Sequence, residues 1–80
     1  MTHLLIHDTV GALDRALARI AIGIAGTRHG AQNLLQAVSQ GEHSAVTSAF
    51  LTEAAALLRA RRLLADAMRQ DALVSRQLAA

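Results

Sequence analysis

The sequence predicts an all-α protein, and three observations lead to this fold class. First, 52% of the 80 residues are hydrophobic, with no proline and a single aromatic residue, Phe50. This composition is typical of long helices, whereas β-sheets favour β-branched and aromatic residues. Second, apolar residues recur in heptads through the first half, and third, a glycine turn lies at the midpoint. Together they predict one domain, residues 1–80, built as an antiparallel hairpin of two long helices.

Helix one is predicted over residues 6–40. From Ile6 to Val38, residues recur at alternating steps of three and four, the a/d pattern of a helix with one continuous stripe that includes Thr27. Residues 20–26 carry no charge, and an apolar helix surface all round is typical of a helix covered by more than one neighbour. Gly26 and Gly30 lie four residues apart on one face, so we expect close packing against another backbone there.

The turn is predicted at residues 41–43 and helix two at about 44–78. Gly41 follows the last periodic residue of helix one, where a glycine readily adopts the left-handed conformation that ends a helix. Ser44 is a suitable N-cap because its hydroxyl oxygen can accept a hydrogen bond from an amide of the first turn. A connection this short makes the two helices antiparallel neighbours.

In such a hairpin, facing residue numbers sum to about 84, a consequence of the short antiparallel connection. This register places Val74 opposite Val10 and Leu78 opposite Ile6, and it places the stem of Arg61 over the gap at Gly23. Two helices leave apolar residues uncovered, and an exposed apolar stripe is typical of a partner surface. We therefore expect the hairpin to be completed into a four-helix bundle by dimerisation or by a helical partner protein.

The chemically reactive residues favour a non-enzymatic protein. The chain has no cysteine, which excludes disulfides and thiolate chemistry. Its serines and threonines lie outside any nucleophile elbow or evident His-Asp arrangement. His3 and His7 have the i, i+4 spacing of a metal-binding pair, but no third ligand follows on the same face. We expect a solvated N-terminus there, with no metal site and no cofactor.

The basic residues predict an acidic protein partner more than a nucleic acid. All eight are arginines, and the pI near 11.2 reflects the absence of lysine, tyrosine and cysteine, because the net charge is only +2. Arg62, Arg69 and Arg76 recur every seven residues and share one helical stripe. No helix-turn-helix pattern or stacking aromatics accompany them, so nucleic acid is not favoured. The favoured interpretation of these arginines is a solvated face, and an acidic protein is the more plausible of the two possible binding partners.

The leading hypothesis is a protein interaction module, an adaptor, small chaperone or regulator, that works through an exposed apolar seam. The alternatives are a self-assembling bundle or filament subunit and, more weakly, an amphipathic protein of the membrane surface. The chain shows no secretory signal and no uninterrupted apolar run of about 18 residues, which predicts a cytoplasmic protein. The residues predicted to form the seam are Leu17, Ile20, Ile22, Ile24, Leu51, Leu57, Leu58 and Leu64.

Overall fold

The structure, a computed structural model, describes residues 2–79, with side chains from Ile6 to Ala79. This range contains helices and short connections and no strand, so the predicted all-α class is confirmed. Each of the two predicted long helices is divided, which corrects the predicted helix boundaries. The four resulting helices are α1 (Thr2–Ala25), α2 (Arg28–Ser39), α3 (Ala45–Glu53) and α4 (Ala55–Ala79).

The continuous helix predicted over residues 6–40 is wrong, because the chain breaks at Gly26 and Thr27. Gly26 has a φ of 85°, in the left-handed region that favours glycine, and it ends α1. Thr27 has an extended backbone, and its Oγ1 accepts a hydrogen bond from the amide of Gly30 at 2.9 Å, so it is the N-cap of α2. The heptad spacing of Thr27 fits a seam, but hydrogen bonding to the local backbone prevails over helix continuation.

The turn between α2 and α3 confirms both predicted signals. Gly41 has a φ of 74°, and the amides of Gly41 and Glu42 donate to carbonyl oxygens of the last turn of α2 at 3.1 and 3.0 Å. This is a Schellman motif, which ends a helix by satisfying its last carbonyls. Ser44 Oγ accepts from the Thr47 amide at 3.1 Å, and Thr47 Oγ1 accepts from the Ser44 amide at 2.8 Å. This reciprocal capping box starts α3.

The helix predicted over residues 44–78 is divided at Ala54, which has φ −92° and ψ 4°. Helical hydrogen bonding continues on both sides, since the Ala54 amide donates to the Phe50 carbonyl at 2.8 Å and the Leu58 amide to the Ala54 carbonyl at 2.9 Å. Sharp bends in helices usually occur at proline or glycine. Neither residue type is present here, so the sequence carries no sign of the division.

The core lies where the chain breaks bring all four helices together. In one straight helix, Leu17 and Leu34 would be about 25 Å apart. Both belong to one buried cluster, because the break at Gly26 lets α2 pack against α1. Helix α1 also contacts α3 and α4. Among the described side chains, the buried apolar residues are Leu17, Ala21, Ala31, Leu34, Phe50 and Ala54.

The register between α1 and α4 also differs from the predicted one. Arg61 Nε donates to Asp14 Oδ1 at 2.6 Å, and on α1 Gly23 lies about 13 Å further along the helix axis. A Cβ at Gly23 would meet no atom within 4 Å, so the stem of Arg61 does not cover it. Val74 and Leu78 remain 50% and 83% exposed. The predicted register assumed an unbroken helix over residues 6–40, and the break removes that condition.

Candidate functional site

The candidate site lies on α4, which is longer than the core that it covers. Its 25 residues span about 37 Å at 1.5 Å per residue. Leu57 and Leu58, near its start, pack against the core, and no residue of α4 is fully buried. Every residue from Arg69 to Ala79 is exposed. The second half of α4 therefore presents its apolar side chains to solvent.

Three exposed apolar residues of α4 form what we call the apolar stripe of α4. Leu63, Val74 and Leu78 are 70%, 50% and 83% exposed. They are separated by eleven and four residues, spacings that place side chains on one face of a helix. Single exposed leucines are common on protein surfaces, but an aligned set is typical of a contact surface.

Two adjoining depressions along α4, on a different face of the helix from this stripe, form what we call the arginine groove. The first has a volume of about 390 Å³ and the second about 240 Å³, and Arg69 lines both. Apolar residues of α2, α3 and α4 line the first depression, and residues of α4 alone line the second. We call the apolar lining residues the floor of the groove and its arginines the rim. The apolar residues lining the groove are Val38, Leu51, Leu58, Ala65, Ala72 and Leu73.

The structure places all three predicted arginines along this groove. Arg62 lines the first depression, Arg69 lines both and Arg76 lines the second. Their seven-residue spacing corresponds to about 10 Å of helix rise between neighbours. Arg69 forms an ion pair with Asp66, three residues earlier on the same helix. The groove is thus a row of cationic side chains above an apolar floor.

Arg61 also lines the groove, but Asp14 of α1 compensates its charge. The pair is about half exposed, with 44% of the Arg61 side chain and 49% of the Asp14 side chain accessible. The hydrogen bond that Asp14 accepts and then the negative charge of the carboxylate raise the pKa of Arg61 above its ordinary value. Such exposed pairs contribute about 0–1 kcal/mol to stability. Their main effect here is to join α1 to α4.

The eight predicted seam residues are divided between the core and the surface. Leu17 is buried, Leu64 is half-buried, and Leu51 is 40% exposed and lines the arginine groove. The prediction missed Val74 and Leu78 as exposed residues because it paired them with residues of helix one. Most of the seam packs inside the chain, since five members lie half-buried against the core: Ile20, Ile22, Ile24, Leu57 and Leu58.

Of the two predicted close-packing glycines, Gly26 lies at the chain break between α1 and α2, and Gly30 lies in the first turn of α2. A Cβ at Gly26 would meet no atom within 4 Å. A Cβ at Gly30 would meet Thr27 Oγ1 at 3.0 Å and the Cβ of Ala25 at 3.1 Å, both local contacts. The absent side chain of Gly30 therefore lets α2 begin close against the end of α1. The expected close packing of this glycine pair against another backbone stays a prediction.

The described part of the chain contains no group of three or more His, Cys, Asp or Glu residues placed to hold a metal ion. The side chain of His3, in the predicted histidine pair, lies outside the described residues. Between residues 2 and 79, no helix has the length and apolar character needed to cross a membrane.

The arginine groove is suited to bind apolar and anionic groups together. No known family, curated protein or solved structure matches this chain.

Proposed function

We propose that the protein is a non-enzymatic interaction module, acting as an adaptor, small chaperone or regulator, in which α4 binds a helix of another protein. The observation that carries this proposal is the exposure of every residue from Arg69 to Ala79, including Leu73, Val74 and Leu78. Most helices in proteins are stabilised by packing an apolar face against a neighbour. A partner on α4 supplies that packing and removes apolar area at about 25 cal/mol per Å².

The proposal includes completion of the fold into a four-helix bundle. In this arrangement α1 and α4 are the two sides of a hairpin, joined by the Asp14–Arg61 pair. The partner contributes helices that cover the second half of α4. The small number of buried residues in the described range supports this arrangement, because a lone chain of this size buries a limited core.

Site-specific photo-crosslinking in the cells that make the protein tests the proposal. A benzophenone amino acid replaces Leu73, and the matched control carries it at Gln32, an exposed residue of α2. We expect a covalent adduct with a second polypeptide from position 73 and none from position 32, with the partner identified by mass spectrometry. Equal yields at the two positions, or no adduct at position 73, would contradict the proposal.

A second candidate function is self-assembly into a bundle or filament, favoured by the alignment of Leu63, Val74 and Leu78 on one face of α4. Two copies of this stripe could cover each other. Sedimentation equilibrium over a hundredfold range of concentration separates the candidates. Self-assembly predicts a mass of two or more chains, which falls in the variant Leu63→Glu/Leu78→Glu. A constant mass of one chain would exclude it.

A further inference from the structure

We infer that the partner is an acidic amphipathic helix of a different protein, bound in the arginine groove with carboxylates along Arg62, Arg69 and Arg76. This inference rests on the proposed function, because it names the chemistry of the partner that α4 binds. It follows from the seven-residue repeat of the residues that line the groove, from the charge of the groove and from the positions of the acidic residues in this chain.

The floor and the rim of the groove repeat together along α4. Leu58, Ala65 and Ala72 follow one another at seven-residue steps, and each is followed four residues later by an arginine of the rim. Residues four apart are neighbours on a helix surface. The two small alanines allow another helix to approach closely. The groove therefore matches a helix with an apolar heptad stripe and a parallel row of carboxylates.

The charge of the groove favours an anionic partner. Arg61 is compensated by Asp14, but the ion pairs found among residues 6–79 do not include Arg62 or Arg76. Arg69 is paired with Asp66 in an exposed pair whose Arg69 side chain is 71% accessible. Such pairs are weak, and a guanidinium has five N–H donors. Arg69 can therefore bind a second carboxylate without losing the first.

A second copy of this chain does not supply the matching row of carboxylates. The six acidic residues are at positions 8, 14, 42, 53, 66 and 71. No two on the same helix are seven residues apart, since α1 carries two at a spacing of six and α4 carries two at a spacing of five. The occupant that fits the groove is therefore a helix of another protein.

A nucleic acid fits the groove less well than an acidic helix. Single-stranded nucleic acids are bound by stacking their bases on aromatic side chains in addition to phosphate contacts. Phe50 is the only aromatic residue of the chain, and it is 1% exposed in the core. The leucine and alanine floor instead suits the apolar side of an amphipathic helix.

Binding of a synthetic peptide to the full chain tests the inference. The probe is a fluorescein-labelled peptide of three heptads with leucine at the a and d positions and glutamate along one flank, and the control peptide has glutamine at every glutamate. Binding is measured by fluorescence anisotropy at about 50 mM salt. We expect the glutamate peptide to bind about tenfold more tightly than the glutamine peptide. Equal affinity for the two peptides, or no binding of the glutamate peptide, overturns the inference.

Variants of the chain assign the binding to the groove. Arg62→Gln/Arg76→Gln is expected to weaken binding of the glutamate peptide about fivefold or more. The control variant Arg28→Gln/Arg59→Gln removes the same charge outside the groove and should leave binding of the peptide unchanged. Equal losses in the two variants overturn the inference. Arg62→Glu/Arg76→Glu, checked for helix content by circular dichroism, should prefer a lysine version of the peptide. Failure of this reversal in a folded variant also overturns it.

Competing anions and the crosslinking experiment complete the test. The same assay is run with single-stranded DNA and with phosphatidylserine vesicles. The inference is overturned if the unmodified chain binds one of these anions but not the glutamate peptide, and if Arg62→Gln/Arg76→Gln weakens that binding. The two proposals fail separately. A crosslink from position 73 without selectivity for the glutamate peptide overturns only the acidic-helix inference, whereas no crosslink at that position contradicts the proposed function.

Discussion

The end of the molecule that contains the chain breaks and the second half of α4 are held in place in different ways. At the first, Phe50 and Ala54 are 1% and 0% exposed, and capping hydrogen bonds start α2 and α3. At the second, Leu78 is 83% exposed, and every residue from Arg69 to Ala79 is exposed. Packing therefore determines the fold at one end and leaves the other end exposed to solvent.

Truncation of Phe50 should give the largest effect, because it removes the largest buried side chain at the packed end. Phe50→Ala is expected to lower the free energy of unfolding by about 3–5 kcal/mol. Leu78→Ala, its control at the exposed end, should change it by less than about 0.5 kcal/mol. Urea denaturation followed by circular dichroism measures both. Similar losses in the two variants would contradict the difference between the ends.

Two glycines of the same segment should respond with opposite signs. Gly26 has a φ of 85°, so Gly26→Ala should destabilise the protein by about 1–2 kcal/mol. Gly23 lies in the interior of α1 with open space at its Cβ position, so Gly23→Ala should stabilise it by about 0.5–1 kcal/mol. Thermal unfolding measures both changes. Stabilisation by Gly26→Ala would instead support a continuous helix through residue 26.

The ion pair that joins α1 to α4 should have the smallest effect. Asp14→Asn is expected to cost about 0.2–1 kcal/mol, less at high salt, since the pair is exposed. A double-mutant cycle with Arg61→Gln measures the coupling, and strictly additive losses would contradict the pair. Because the pKa of Arg61 is raised on folding, its contribution is complete below the ordinary arginine pKa and is lost only at more alkaline pH. Arg61 should therefore cause no change in the free energy of unfolding between pH 6 and 9.

The features that sequence alone predicted are those produced by neighbouring residues. The Gly41 and Ser44 signals are confirmed because a C-terminal glycine and a capping hydroxyl act on the backbone within a few residues. The row of Arg62, Arg69 and Arg76 follows from helical periodicity alone. Its position beside an apolar floor depends on residues of α2 and α3 that are distant in sequence.

The break at Gly26 lay within reach of sequence reasoning, and the heptad pattern concealed it. Thr27 followed by Gly30 fits a cap as well as a seam, and either assignment satisfies some local interactions. Packing decided between them, because the break lets Leu34 join Leu17 in one core that a straight helix would keep apart. The division at Ala54 has no local signal.

The sequence by itself determined that this chain is helical, where its central turn lies and which arginines share a face. These properties arise from composition, backbone capping and a period of 3.6 residues per turn. Only the tertiary structure decided which apolar residues are used inside the chain and which remain on α4. Leu57 and Leu78 lie three heptads apart on α4, but only Leu57 has other helices against which it packs.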